Sequence, residues 1–120
     1  MDYTVEEKSF QFSVRIVKLC RNLRDKQKEF ILSNQLLRSG TSIGANIAEA
    51  QQAQSRADFV SKISIALKEA VETDYWLRLL NASEYLPETS FHSYINECRE
   101  IQRMLTAIAR TAKSKLSDGA

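Results

Sequence analysis

The chain contains one histidine, His92, so the general base most often used in nucleophilic catalysis has a single candidate. No cysteine or Ser/Asp pattern accompanies it, and it reads as a surface residue near the start of a helix. Carboxylate-bridged di-iron bundles need two Glu-x-x-His pairs on facing helices. One histidine, with Thr89 three residues before it, excludes that centre. Glu69 and Glu72 offer the oxygen ligands that a divalent cation prefers, but two carboxylates alone do not make a cation site. The run Ser39-Gly40-Thr41-Ser42-Ile43-Gly44 is rich in small residues, as a phosphate loop is. It lacks the Lys-Ser/Thr ending, and no strand precedes it. Cys20 and Cys98 each lie on an apolar helical stripe and read as buried free thiols of a reducing compartment. No catalytic residue, cofactor or metal is assigned.

The elements that would position any site are helices. A chain of 120 residues makes one domain, here residues 1–120. Three glycines and one proline leave few places to turn, which suits a few long helices better than many short strands. No apolar run approaches the ~20 residues needed to span a bilayer. The first ten residues, MDYTVEEKSF, start acidic and lack an apolar h-region, so no secretory signal is expected and the assignment is cytoplasmic, without a membrane partner.

Hydrophobic periodicity places four helices at about 5–25, 29–52, 56–81 and 87–113. In the second, Leu32, Leu36, Ile43, Ile47 and Ala50 share one face with Gly40. Interior glycine costs roughly 1 kcal/mol of helix propensity, yet the periodicity runs through both Gly40 and Gly44. A glycine on the buried stripe lets a neighbouring helix come close. Ser55 and Asp58 form a capping pattern at the start of the third helix. Its apolar side holds Phe59, Ile63, Ala66, Ala70, Leu77 and Leu80, with Tyr75-Trp76 mid-helix as packing residues. Asn81-Ala82-Ser83 with Pro87 beyond marks its end. Phe91, Tyr94, Ile95, Cys98, Ile101, Leu105, Ile108 and Ala112 line the fourth helix, after which KLSDGA should fray. Short connections make sequential neighbours antiparallel. The expected fold is all-α, an antiparallel up-down-up-down four-helix bundle.

The first helix is unusual. Phe12, Ile16, Leu19 and Leu23 form one stripe, and Phe10, Val14 and Val17 form a second on nearly the opposite side. A surface helix of a monomer needs only one apolar face. Either the second face packs into another subunit, or helix 1 is central in its own bundle.

Charge adds a further asymmetry. The formal net charge is +2, weak as a sign of nucleic-acid binding. Residues 1–28, however, hold seven Lys/Arg against four Asp/Glu. Arg15, Lys18, Arg21 and Arg24 give helix 1 a broad basic side, and Arg99, Arg103 and Arg110 form a ridge on helix 4 opposite its apolar stripe. These are the candidate nucleic-acid contacts, with a solvated face as the alternative.

The runs LRSGTSIGANIAEA and DFVSKISIALKEAVETDYWLRLL closely resemble the bacterial four-helix-bundle proteins encoded by intervening sequences in 23S rRNA genes. The most specific pieces are Arg38 with Ser42-Ile43-Gly44-Ala45-Asn46-Ile47-Ala48-Glu49, and Lys62, Ala66, Glu69 and Glu72. The resemblance implies an antiparallel bundle assembled as a homopentamer. It also brings in a related protein, the accessory factor of diversity-generating retroelements, a basic pentamer that binds a reverse transcriptase and nucleic acid. On that resemblance Arg38, Asn46, Glu49, Lys62 and Glu69 become a candidate structural polar network between helices or subunits. The function expected is a non-catalytic homo-oligomeric adaptor associated with RNA or a nucleoprotein. The alternatives are a protein-binding scaffold with no nucleic-acid role and, third, a small enzyme.

Overall fold

The computed structural model describes residues 3–118, and its first three helices each begin where a carboxylate or a hydroxyl meets the free amide groups of the first turn, while the fourth begins directly after Pro87. Helix α1 (Val5–Gln27) starts behind a reciprocal capping box that sequence reading overlooked. The Thr4 hydroxyl accepts from the Glu7 amide at 3.2 Å, and the Glu7 carboxylate accepts from the Thr4 amide at 3.3 Å. Lys28, in the left-handed region at φ 56°, turns the chain. Helix α2 (Ile31–Ala50) starts two residues later than Glu29, the expected first residue. The reason is that Glu29 itself caps the helix. Its carboxylate accepts from the amides of Ile31, Leu32 and Ser33 at 3.3, 3.1 and 2.7 Å, placing negative charge at the positive end of the dipole.

Helix α3 (Arg56–Ala82) carries the expected cap. Ser55 accepts from the Asp58 amide at 3.1 Å, while Asp58 reaches back one residue further, to the Gln54 amide at 3.2 Å. Its end also matches: the Asn81 side-chain amide donates to the Leu86 carbonyl at 3.0 Å and closes the turn before Pro87. Helix α4 (Glu88–Asp118) outruns its expected end at Lys113, and Lys115–Ser117 are helical rather than frayed. No glycine or proline lies between Pro87 and Gly119 to stop it. Residues 1, 2, 119 and 120 of the expected single domain lie outside the described residues.

Neighbours pack in the order α1–α2–α3–α4–α1, and the diagonal pairs do not meet. This is the expected all-α up-down-up-down bundle, measuring 52 × 25 × 23 Å. No helix among the described residues is long and apolar enough to cross a membrane. The predicted stripes form the core: Phe12, Ile16, Leu23, Leu36, Ile43, Ile47, Leu77, Leu80, Ile101 and Leu105 are fully buried. Leu32, Phe59, Phe91, Tyr94 and Ile108 pack half-buried against its edges.

A close approach of α1 to α2 explains the glycines. A Cβ on Gly40 would lie 2.8 Å from Ile16 Cγ2, and one on Gly44 would lie 3.3 Å from Ser13 Oγ. Ser13 and Ser9 turn their hydroxyls back onto carbonyls of α1, which keeps that side of the helix narrow. The α1–α4 contact is looser and is bridged by long side chains: Lys8 reaches Glu100 at 2.8 Å, and Arg15 pairs with Glu97.

Gly40→Leu should therefore destabilise the subunit through overpacking, by about 1–3 kcal/mol, although it improves local helix propensity. Thermal denaturation measures this. An unchanged or higher melting temperature would mean that α1 does not rest on Gly40.

Candidate functional site

The residues with catalytic potential are dispersed. His92 is exposed, with Nε2 3.0 Å from the Glu88 carboxylate one turn earlier. Ser39–Gly44 is continuous helix rather than a loop. Glu69 and Glu72 both face Arg38: Glu69 lies 3.2 Å from its Nη1, and Glu72 pairs with its Nη2 and accepts from Trp76 Nε1 at 2.9 Å. Among the described residues no three His, Cys, Asp or Glu side chains converge as a metal site. Cys20 and Cys98 are free and buried. Burial pushes both thiols up to about 12, so they stay protonated at neutral pH. Each donates to a carbonyl at 3.3 Å, Ser33 and Ala70 respectively.

The five polar residues singled out by the resemblance lie along the α2–α3 seam as two separate pairs. Arg38 meets Glu69, and Lys62 meets Glu49 at 3.5 Å. Asn46 joins neither; its side-chain amide donates to the Ser42 carbonyl of its own helix at 2.8 Å. All four charged members remain partly exposed in the single subunit, where such pairs are worth under about 1 kcal/mol each. The polar contact buried within the seam is a different one. The Ser39 and Thr73 hydroxyls, both fully buried, are hydrogen-bonded at 3.0 Å.

A second polar centre escaped sequence reading. Asp74 is buried between α3 and α4 and accepts from Arg78 at 2.8 Å, Arg99 at 3.0 Å and Gln102 at 3.0 Å. Burial pushes its carboxyl up, but the hydrogen bonds from Arg99, Gln102 and Arg78 outweigh burial and hold it below the usual carboxylate value. The available signal was the spacing of Asp74 and Arg78 at i,i+4; the partners on α4 have no sequence signature.

Tertiary contacts divide the basic residues. Arg15 is drawn onto α4, pairing with Glu97, donating to Ser93 Oγ at 2.9 Å and lying 4.2 Å over the Tyr94 ring. Arg99 is held by Asp74, and Arg24 leans over Phe30 with a long contact to Asn34. Lys18 and Arg21 on α1, and Arg103 and Arg110 on α4, are exposed and engage no partner among the described residues.

The apolar second face of α1 is uncovered in the single chain: Phe10 is 70% exposed, Val14 40% and Val17 37%. Beside it runs a groove of about 790 Å³ between α1 and α2. Ser9, Ser13, Gly44, Ala45 and Ala48 line it with small groups, and Phe10 forms one wall. On the far side of the bundle, Tyr75 corrects its expected packing role. Only Trp76 packs against the core, while Tyr75 is 49% exposed and its neighbour Val71 is 53% exposed.

Residues 1–107 match the model of a family described as the 23S rRNA-intervening sequence protein. A crystal structure of a protein of unknown function from the S23 ribosomal protein family of Bacteroides thetaiotaomicron is 56% identical and superposes with a TM-score of 0.87, over 88% of this chain and 98% of that one. No curated protein matches the chain.

Asp74→Ala should lower subunit stability by about 1.5–3 kcal/mol, the range for hydrogen bonds involving charged groups. Glu49→Ala, at an exposed pair, should cost the isolated subunit under about 1 kcal/mol. Urea denaturation compares the two, and equal costs would reduce Asp74 to a solvated pair. Because Asp74 has a depressed folded-state value, its contribution is present above the unfolded carboxylate value of about 4. It is lost as pH falls through the folded value. Acid denaturation should show this loss in the parent chain, and Asp74→Ala should remove that component.

Proposed function

This chain belongs to the 23S rRNA-intervening sequence protein family, and from that premise we propose a non-catalytic role as a homo-oligomeric helical adaptor that associates with RNA. The observation that carries the reading is the uncovered apolar face of Phe10, Val14 and Val17 on α1. Removing one such side chain fully from water is worth about 1.5–3 kcal/mol. A second copy that covers the face recovers part of that energy at three positions. The resemblance described above makes five copies the expected count. A cytoplasmic setting suits the two buried thiols, which carry no disulfide.

The RNA part of the reading rests on Lys18, Arg21, Arg103 and Arg110, the members of the two basic stripes that the fold does not consume. One subunit presents few of them. A ring repeats them, and repeated charges sum into a field that a polyanion feels. Binding of this kind is electrostatic and weakly sequence-selective, since phosphate contacts carry no base information.

Sedimentation velocity at micromolar concentration tests assembly, and a sharp monomer boundary overturns it. Val17→Glu should dissociate the oligomer while leaving the helical circular dichroism of the subunit intact. Fluorescence anisotropy with a structured rRNA fragment tests the partner. Affinity should fall steeply between about 50 and 200 mM salt as condensed counterions are released, and combined Lys18→Glu, Arg21→Glu, Arg103→Glu and Arg110→Glu should abolish it. An intact oligomer with no binding at the lower salt would leave a protein-binding scaffold as the better account.

A further inference from the structure

The α1–α4 seam, the sparser contact of the bundle, opens beside the α3–α4 turn into a cleft of about 500 Å³. Two aromatic rings line it, Tyr85 from the turn and Tyr94 from α4. Polar groups come from every wall: Lys18 and Asn22 one turn apart on α1, Ser90 one turn before Tyr94 on α4, and Glu84 from the turn. None of these four side chains has a hydrogen-bond or ion-pair partner among the described residues. The other polar neighbours differ. Gln27 Nε2 donates to the Tyr85 carbonyl at 2.9 Å and ties the turn to α1. Arg15 is engaged by Glu97, Ser93 and the Tyr94 ring, and Glu88 by His92 and Asn81. Arg21, Asp25 and Lys26 are exposed on the adjoining turns of α1.

Glu84 is the most informative of these residues. It directly follows Ser83, the C-cap of α3, and its φ is 70°. Glycine takes that left-handed conformation without steric cost and is the residue usually found there. A β-carbon makes it unfavourable, yet the chain places a carboxylate at this position. The turn is also fixed around it. The Tyr85 and Leu86 amides both donate to the Leu80 carbonyl, at 2.9 and 3.1 Å, and Leu86 is buried. A carboxylate accepts and does not donate, so the group it meets must present N–H or O–H donors. A phosphate would be repelled by Glu84 and belongs on Lys18.

We propose that this cleft holds an unpaired guanine of the bound RNA, Glu84 accepting from its N1–H and N2 amine and Lys18 neutralising the adjacent phosphate. Stacking on aromatic rings is the way proteins hold unpaired RNA bases, and the volume is that of a small-ligand site. Guanine is the RNA base whose Watson–Crick edge presents two adjacent N–H donors with no acceptor between them. Adenine and cytosine set a ring-nitrogen acceptor beside the amine, and uracil flanks its N–H with carbonyls. Each of these would turn a lone pair toward a carboxylate oxygen. The groove beside Phe10 has a ring but no cation, and the groove along Arg99, Arg103 and Arg110 has cations but no ring. The proposal rests on the RNA reading above and adds one base preference to binding that is otherwise electrostatic.

The test is fluorescence anisotropy of the full chain at low salt with short oligouridylates that carry one central guanine, adenine or inosine. The guanine oligomer should bind about tenfold more tightly than the adenine one, the discrimination expected of a bidentate base contact. Inosine lacks the N2 amine and should lose most of that preference. Glu84→Gln should erase it. Glu84→Gly should erase it as well while melting no lower than the parent, because glycine relieves the left-handed backbone, so the loss does not come from unfolding. Lys18→Glu should weaken all three oligomers alike. Equal binding of the three, or a guanine preference that survives both Glu84 substitutions, overturns the cleft while the electrostatic RNA reading stands. If guanosine 5′-monophosphate binds more tightly than the guanine oligomer, the ligand is the free nucleotide and RNA as its source is overturned. No binding of any oligomer or of the structured rRNA fragment overturns the RNA reading itself and the cleft proposal with it.

Discussion

The close approach of α1 to α2 across Gly40 is the constraint on which the rest of the subunit depends. Ile16 occupies the space that a side chain at position 40 would need. This draws the Ser9–Ser13–Ile16 side of α1 against α2. A helix committed on that side cannot also turn Phe10, Val14 and Val17 inward, so the second apolar face is left outside. The α1–α4 contact is the sparser one. Lys8 and Arg15 reach across it with their long aliphatic stems and end on Glu100 and Glu97. The two glycines of α2 thus bear on different features: Gly40 receives Ile16, and Gly44 lines the groove beside Phe10.

Polar groups inside the bundle are few, and each is satisfied. No buried side-chain nitrogen or oxygen among the described residues lacks a partner. The Ser39–Thr73 pair and the Asp74 centre each tie α3 to one neighbour, α2 and α4 respectively. Apolar packing tolerates a sliding of helix against helix, whereas an unpaired buried hydroxyl or carboxylate costs its desolvation energy. These two contacts therefore hold the register of α3.

The same contacts decide what the surface offers. Of the arginines and lysines in the basic stripes, those within reach of Glu97 and Asp74 neutralise them, and only the remainder project a field into solvent. The apolar outer faces are more distinctive than the charges.

The local rules of the chain were legible without coordinates. The four apolar stripes named the core, the Ser55 cap and the Pro87 stop bounded their helices, and periodicity carried helix 2 through two glycines. These follow from side-chain spacing along one helix, which the sequence contains in full. The stripe of Phe10, Val14 and Val17 was also visible, but its fate was not, because exposure depends on which side of α1 meets Gly40. The two polar centres, Ser39 with Thr73 and Asp74 with Arg99 and Gln102, join residues at least 25 positions apart. The groove beside Phe10 exists only where two helices run side by side. Such features depend on the relative rotation and register of separate helices. Those are set by packing between elements, so only the tertiary structure decides which charges are consumed and which faces remain open.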